Sequence, residues 1–257
     1  AVSNVVGSNI FNLMFVIGVC SILTPIMVQK ATVVRDIPLS LGCALFLLVL
    51  GISGLGDKAG MTLGHADGVI FLIVFAGYIF TMVRSAMKAR AAGQKVEIEG
   101  VEECDNMKEL SYGKSILFLI VGAAAIAFGG DLTVDTASRI AIELGMSQTL
   151  VGLTIVSIGT SLPELVTSIV AARKNEVDMA LGNAVGSCIF NILMVLGIAS
   201  AISPIAFIQE NIIDIIVLVV FSLIVWIMAW TKREIKRGEG IIMLLMYAAY
   251  TAYIIIR

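Results

Sequence analysis

Charge is scarce in this sequence. Only 14% of its 257 residues are Asp, Glu, Lys or Arg, against 59% hydrophobic, and mean hydropathy is +1.02. A soluble globular domain carries roughly a quarter charged residues, so this chain requires lipid as its solvent. A net charge of −2 offers no basic surface, and no nucleic-acid partner is expected. Cysteine is rare as well: four, at 20, 43, 104 and 188, without a CxxC pair. That argues against a disulfide or soft-metal framework and for small buried thiols. The one histidine, His65, falls in an outer loop and reads as solvated. Three of the four prolines, Pro25, Pro38 and Pro204, fall at span ends, whereas Pro163 sits inside an apolar run.

Apolar runs of crossing length, about 17–25 residues, fall near 4–25, 37–55, 67–87, 113–131, 148–172, 179–201, 211–230 and 239–256. The pattern predicts an all-α integral membrane bundle of eight spans. No secretory signal peptide precedes the first span, because residue 1 already lies in a patterned segment, and the initial Ala1 suggests a fragment. With the loop after the first span inside, 14 of the 17 Lys and Arg residues face inward; Lys58, Arg139 and Arg257 do not. The positive-inside rule then puts the 88–112 linker in the cytoplasm and the C-terminus outside. That linker carries Glu97, Glu99, Glu102, Glu103, Asp105 and Glu109 without EF-hand spacing, and reads as a solvated connector rather than a cation site. Asp131 and Asp135 fall at the outer end of the fourth span.

The chain repeats itself. Residues 1–26, AVSNVVGSNIFNLMFVIGVCSILTPI, and 180–205, ALGNAVGSCIFNILMVLGIASAISPI, are identical at 13 of 26 positions. Gly7/Gly186, Ser8/Ser187, Asn12/Asn191 and Pro25/Pro204 are among them, which apolar composition alone would not align. By the charge count the first copy runs inward and the second outward. The organisation is therefore a first membrane repeat at 1–87, the linker at 88–112, and an inverted second repeat at 113–257. Inverted duplication is characteristic of secondary transporters, whose sites lie near the midplane between the repeats.

Residues 159–164 read GTSLPE within the span 148–172. Pro163 clashes with the carbonyl of Gly159, so the helix is expected to open there, with Gly159 supplying backbone freedom. Thr160 and Ser161 add hydroxyl oxygens, and Glu164 adds a charge that is costly at that depth and marks a functional site. Hard oxygen donors of this kind suit Ca²⁺ or Na⁺. Ser187 and Asn191 share one helix face, as do Ser8 and Asn12 in the other copy, and both pairs can close around Glu164. Ser157 can add its carbonyl. Gly7 and Gly186 are expected to let helices approach closely. The alternatives are back-bonding or interhelical hydrogen bonding for Thr160, Ser161, Asn12 and Asn191, small-residue packing for Ser8 and Ser187, and a paired acid for Glu164. Asn4 and Asn183, nearer the span ends, read as caps.

GTSLPE, GNAVGSCIFN and SNVVGSNIFN together resemble the sodium/calcium exchangers of the cation/calcium antiporter superfamily, over essentially the whole chain. The resemblance implies ten helices in two inverted halves, with exchange of Ca²⁺ against Na⁺ and no cofactor or enzymatic activity. It also implies ligation by Thr160, Ser161, Glu164, Ser187, Asn191, Ser8 and Asn12, with Ser157 through its carbonyl. Alternating access would follow from rocking of the halves, with H⁺ as an alternative counter-ion and a channel-like protein with a degenerate site as the remaining one. Eight of the ten helices are found, without the first GTSxPE copy; missing N-terminal helices or a partner chain would complete the site. Asn191 stands where potassium-dependent relatives tend to carry Asp, which argues against potassium dependence. Cys188, in place of the Asn at Asn9, reads as a minor change. The short linker suggests a bacterial or archaeal inner membrane.

Overall fold

Alternating runs of apolar residues and short polar turns produce a helical bundle, seen in a computed structural model that describes residues 1–53, 61–91, 111–146, 151 and 155–256. The acids of the linker between 97 and 109 lie outside the described residues. Seven described helices are long and apolar enough to cross a membrane. They are α1 (Val2–Leu23) and α2 (Thr32–Ser53), α3 (His65–Ala91), α4 (Tyr112–Glu143), α7 (Val177–Ile202), α8 (Gln209–Lys232) and α9 (Arg237–Ile256). The remaining expected span, 148–172, is the interrupted one, with α5 (Ser157–Thr160) and α6 (Leu162–Arg173) on either side of a break.

Four two-residue strands join the halves. β1 (Ile26–Met27) pairs antiparallel with β4 (Glu234–Ile235), and β2 (Thr62–Leu63) pairs with β3 (Ile205–Ala206). Ile26 faces Ile235, and its repeat mate Ile205 faces Leu63. Each half thus lends a strand to the other at both ends of the bundle. The loops that pair are those the charge count assigns to the same side.

Helix packing obeys the same exchange. α9 lies on α1, and α3 lies on the C-terminal half of α7. Glycine makes both crossings possible. A Cβ at Gly240 would collide with Ser21 Oγ and the Gly18 carbonyl; one at Gly68 would collide with Ser200 Oγ and the Gly197 carbonyl. Side chains cap the helices the same way in each half: the Gly64 N–H donates to Asp67 at 2.8 Å, the Lys236 N–H to Glu239 at 2.7 Å. Gly186, in contrast, has open space where a Cβ would point, so the close approach expected there is not made among the described residues.

The core lies where α1 and α7 cross. Ile10, Leu13, Met14 and Ile17 meet Ile189, Ile192, Leu193 and Leu196, all essentially inaccessible. In lipid, apolar transfer contributes little to helix association, so close packing and interhelical hydrogen bonds hold this centre together. Cys20, Cys43 and Cys188 are buried free thiols, as the sequence indicated, and Cys104 lies outside the described residues.

α4 departs from expectation. Rather than ending near 131 it runs to Glu143, because no Gly or Pro interrupts 131–143. It stops at Gly145, whose φ of +90° places it in the left-handed region that suits glycine. The Gly145 N–H donates to Ile142 O at 2.9 Å, and that of Met146 to Ala141 O at 3.0 Å. Asp131 and Asp135 are therefore mid-helix and exposed, not terminal. Apart from Ala141 no residue of α4 is buried, and its apolar surface is the kind that lipid covers. At 1.5 Å per residue this helix is roughly 48 Å long, so it must tilt to fit a hydrocarbon layer of about 30 Å.

Candidate functional site

The break in GTSLPE is local chemistry made visible. Ser161 leaves helical geometry at φ −103°, ψ 6°, and Pro163 sits in the first turn of α6, where its missing N–H costs nothing. The Ser161 N–H reaches back to Ile158 O at 3.0 Å, a tightened turn that ends α5. Gly159 has another role than the one read from sequence. Gly145 is the only glycine with positive φ among the described residues. At Gly159 a Cβ would collide with Val134 of α4, so glycine is needed for α4 to cross the break.

Two helices supply the rest of the site. α1 and α7 each contain a π-helical turn halfway along, Phe11–Val16 and Asn191–Leu196. These turns occupy matching places in the two copies, and such turns are common at functional sites. Ser8, Asn9 and Asn12 precede or enter the first; Ser187, Cys188 and Asn191 precede or enter the second. Both groups are close to mid-span.

The structure brings these residues together. Ser8 Oγ lies 3.0 Å from Thr160 Oγ1, joining the first copy to the broken helix. Ser187 lies beside the half-buried Glu164 carboxyl, close enough to stabilise its charge. Ser161 is buried at the break. Asn12 is fully buried, and neither its Oδ1 nor its Nδ2 has a partner among the described residues. Leaving a buried polar group unpaired costs about 1–3 kcal/mol, so an unpaired carboxamide here points to a ligand that the site expects. Of Ser157, only the place of its backbone at the start of α5 is described.

Some readings need correcting. Asn4 and Asn183 are not caps; the caps are Ala1 and Glu176, and both asparagines lie within helices. Asn183 instead ties α7 to α6, donating to Glu164 O at 3.3 Å, Thr167 Oγ1 at 3.1 Å and Ser168 Oγ at 3.1 Å. It holds the backbone of Glu164 in place. His65 is exposed, as expected, but its Nδ1 lies 2.8 Å from Ala201 O.

Sequence reading passed over Asn9. It is inaccessible, its Nδ2 donates to Cys188 O at 3.1 Å, and its Oδ1 accepts from Asn191 Nδ2 at 3.1 Å. The signal available was its adjacency to Ser8 in the repeated motif.

Chemically, the cluster offers hydroxyl, carboxamide and carboxylate oxygens at bilayer mid-depth. Among the described residues no three His, Cys, Asp or Glu side chains gather to hold a metal. The donor set is hard, which fits an alkali or alkaline-earth cation, and among the described residues it contains a single carboxylate, which balances one positive charge.

The family profile described as sodium/calcium exchanger protein matches residues 1–84 and 114–256. The putative antiporter CaxA of Alkalimonas amylolytica is 34% identical over 260 residues, which cover 97% of this chain and 76% of that protein. The sodium/calcium exchanger MaX1 of Methanosarcina acetivorans is 29% identical over 273 residues, covering 97% and 78%. A structure of the sodium-calcium exchanger NCX_Mj soaked with zero Na⁺ and Ca²⁺ superposes with a TM-score of 0.77 at 30% sequence identity, covering 98% of this chain and 75% of that one.

Proposed function

This chain belongs to the sodium/calcium exchanger protein family, and we propose that it exchanges Ca²⁺ for Na⁺ across a membrane at the cluster built around Glu164. At the coarser level it is a multi-pass membrane protein and a cation/calcium antiporter. The observation that carries the finer reading is the convergence of Ser8, Thr160, Glu164, Ser187 and the unpaired Asn12 at mid-span. Relatives support the choice of ions: NCX_Mj was studied soaked with Na⁺ and Ca²⁺.

Coupling in this reading is competition. Na⁺ and Ca²⁺ use the same oxygens, and only a loaded site changes access. Loss of the cation leaves Glu164 charged in lipid, which disfavours an empty crossing. Ca²⁺ carries two positive charges and the described cluster one carboxylate, so the reading requires a second negative charge near Glu164 when Ca²⁺ binds. Asn191, a neutral ligand, favours independence from potassium.

The exchanged strands and the two glycine crossings fasten each half to the other at both ends. Rocking of the halves against each other would break them. α4 packs mainly on α5 and α6, which favours movement of α4 across the GTSLPE break as the change that alternates access.

Ca²⁺ uptake into proteoliposomes tests the reading. An outward Na⁺ gradient should drive uptake, and an equivalent pH gradient should not. Uptake driven by the pH gradient alone would assign H⁺ as the counter-ion. Uptake indifferent to both would contradict antiport.

A further inference from the structure

Asn9 and Cys188 occupy the same position in the two copies, 179 residues apart. Each side chain reaches the backbone carbonyl of the other: Asn9 Nδ2 donates to Cys188 O at 3.1 Å, and Cys188 Sγ to Asn9 O at 3.6 Å. The internal two-fold axis therefore passes between them. Their surroundings match; their chemistry does not.

That difference decides the state of the two asparagines one turn further on. A backbone carbonyl only accepts hydrogen bonds, so the Asn9 atom beside Cys188 O must be its nitrogen. The Asn9 oxygen is thereby fixed towards Asn191 and accepts from Asn191 Nδ2 at 3.1 Å. Donation by Nδ2 leaves Asn191 Oδ1 as the atom available to a cation. In the other copy, a thiol occupied with Asn9 O replaces the carboxamide, and Asn12 finds no partner for either polar atom among the described residues. Both asparagines sit at the α1–α7 crossing, Asn12 fully buried and Asn191 partly so, and it is the more buried one that lacks a partner among the described residues.

We propose that Asn9 is a positioning residue that locks the Asn191 carboxamide with its oxygen towards the ion, while Cys188 leaves Asn12 free to turn, so the cation meets one rigid and one adaptable amide ligand. This rests on the exchange reading above. A rigid oxygen favours an ion of one size, and an adaptable carboxamide accommodates a second. One sequence difference between the copies thus gives a site built by duplication two unequal amide ligands.

Half-saturation for Ca²⁺, measured in the full-length protein in proteoliposomes, tests the lock. Asn9→Leu removes it, and half-saturation should rise about tenfold, the effect of one lost buried hydrogen bond. In an Asn191→Asp background both side-chain oxygens are acceptors and no orientation is needed. There the Asn9 oxygen faces another oxygen, and Asn9→Leu should leave half-saturation unchanged or lower it. A residue that merely glues α1 to α7 through Cys188 O would cost the same factor in both backgrounds, and that result overturns the proposal. Cys188→Asn supplies the missing acceptor for Asn12 Nδ2 and should lower half-saturation severalfold; no change would refute the asymmetry. Wild-type protein that takes up no Ca²⁺ under either gradient would overturn the exchange reading itself, together with this one.

Discussion

Ser8 and Thr160 are 152 positions apart in the chain, and their hydroxyl oxygens lie 3.0 Å from each other. This contact joins the first copy of the repeated motif to the broken helix of the second half. It predicts energetic coupling. Ser8→Ala and Thr160→Val should each weaken Ca²⁺ exchange, and the double variant should lose less than the sum, with a coupling of about 0.5–1.5 kcal/mol. Strict additivity in uptake kinetics would mean that the two hydroxyls act separately.

The glycine crossings predict matched effects in the two halves. Gly240→Ala and Gly68→Ala each drive a methyl group into backbone and a serine hydroxyl. Each should cost about 1–3 kcal/mol. Gly77→Ala, where the space is open, should cost nothing of that kind. Thermal unfolding in detergent checks this; equal melting for Gly240→Ala and Gly77→Ala would be inconsistent with the crossing.

Cross-linking separates the two ways of alternating access. Met27 and Glu234 are Cα partners in the β1–β4 pair, and such partners lie at about 4.5–5.5 Å, within disulfide range. With Cys104 replaced by Ser, oxidised Met27→Cys/Glu234→Cys protein should keep exchanging, because the pinned ends do not separate. Arrest that a reductant reverses would restore rocking of the halves.

Much of this was legible in the sequence, for identifiable reasons. Span positions follow from apolar runs, and the inverted duplication from Gly, Ser, Asn and Pro matches that hydrophobicity cannot fake. The break at Ser161 follows from Pro163. What stayed hidden depends on neighbours distant in sequence. Gly159 serves the Val134 contact with α4 rather than a special backbone angle. Asn183 ties two helices rather than capping one. The length of α4 was missed because the polar residues after Asp131 look like a loop, while no helix-breaking residue stands before Gly145. Asn9 was missed because a period-based reading cannot see the axis that passes beside it.

Equilibrium binding of Ca²⁺ to the purified protein, wild type against Glu164→Gln, reaches the central claim most directly. Gln keeps the size of the side chain and an oxygen for Ser187 but removes the charge. The wild-type protein should bind Ca²⁺ saturably, with Na⁺ competing, and Glu164→Gln should lose at least about a hundredfold in affinity, as expected when a charged ligand near mid-membrane is neutralised. Unaltered Ca²⁺ affinity in a folded, membrane-inserted Glu164→Gln protein would contradict the account.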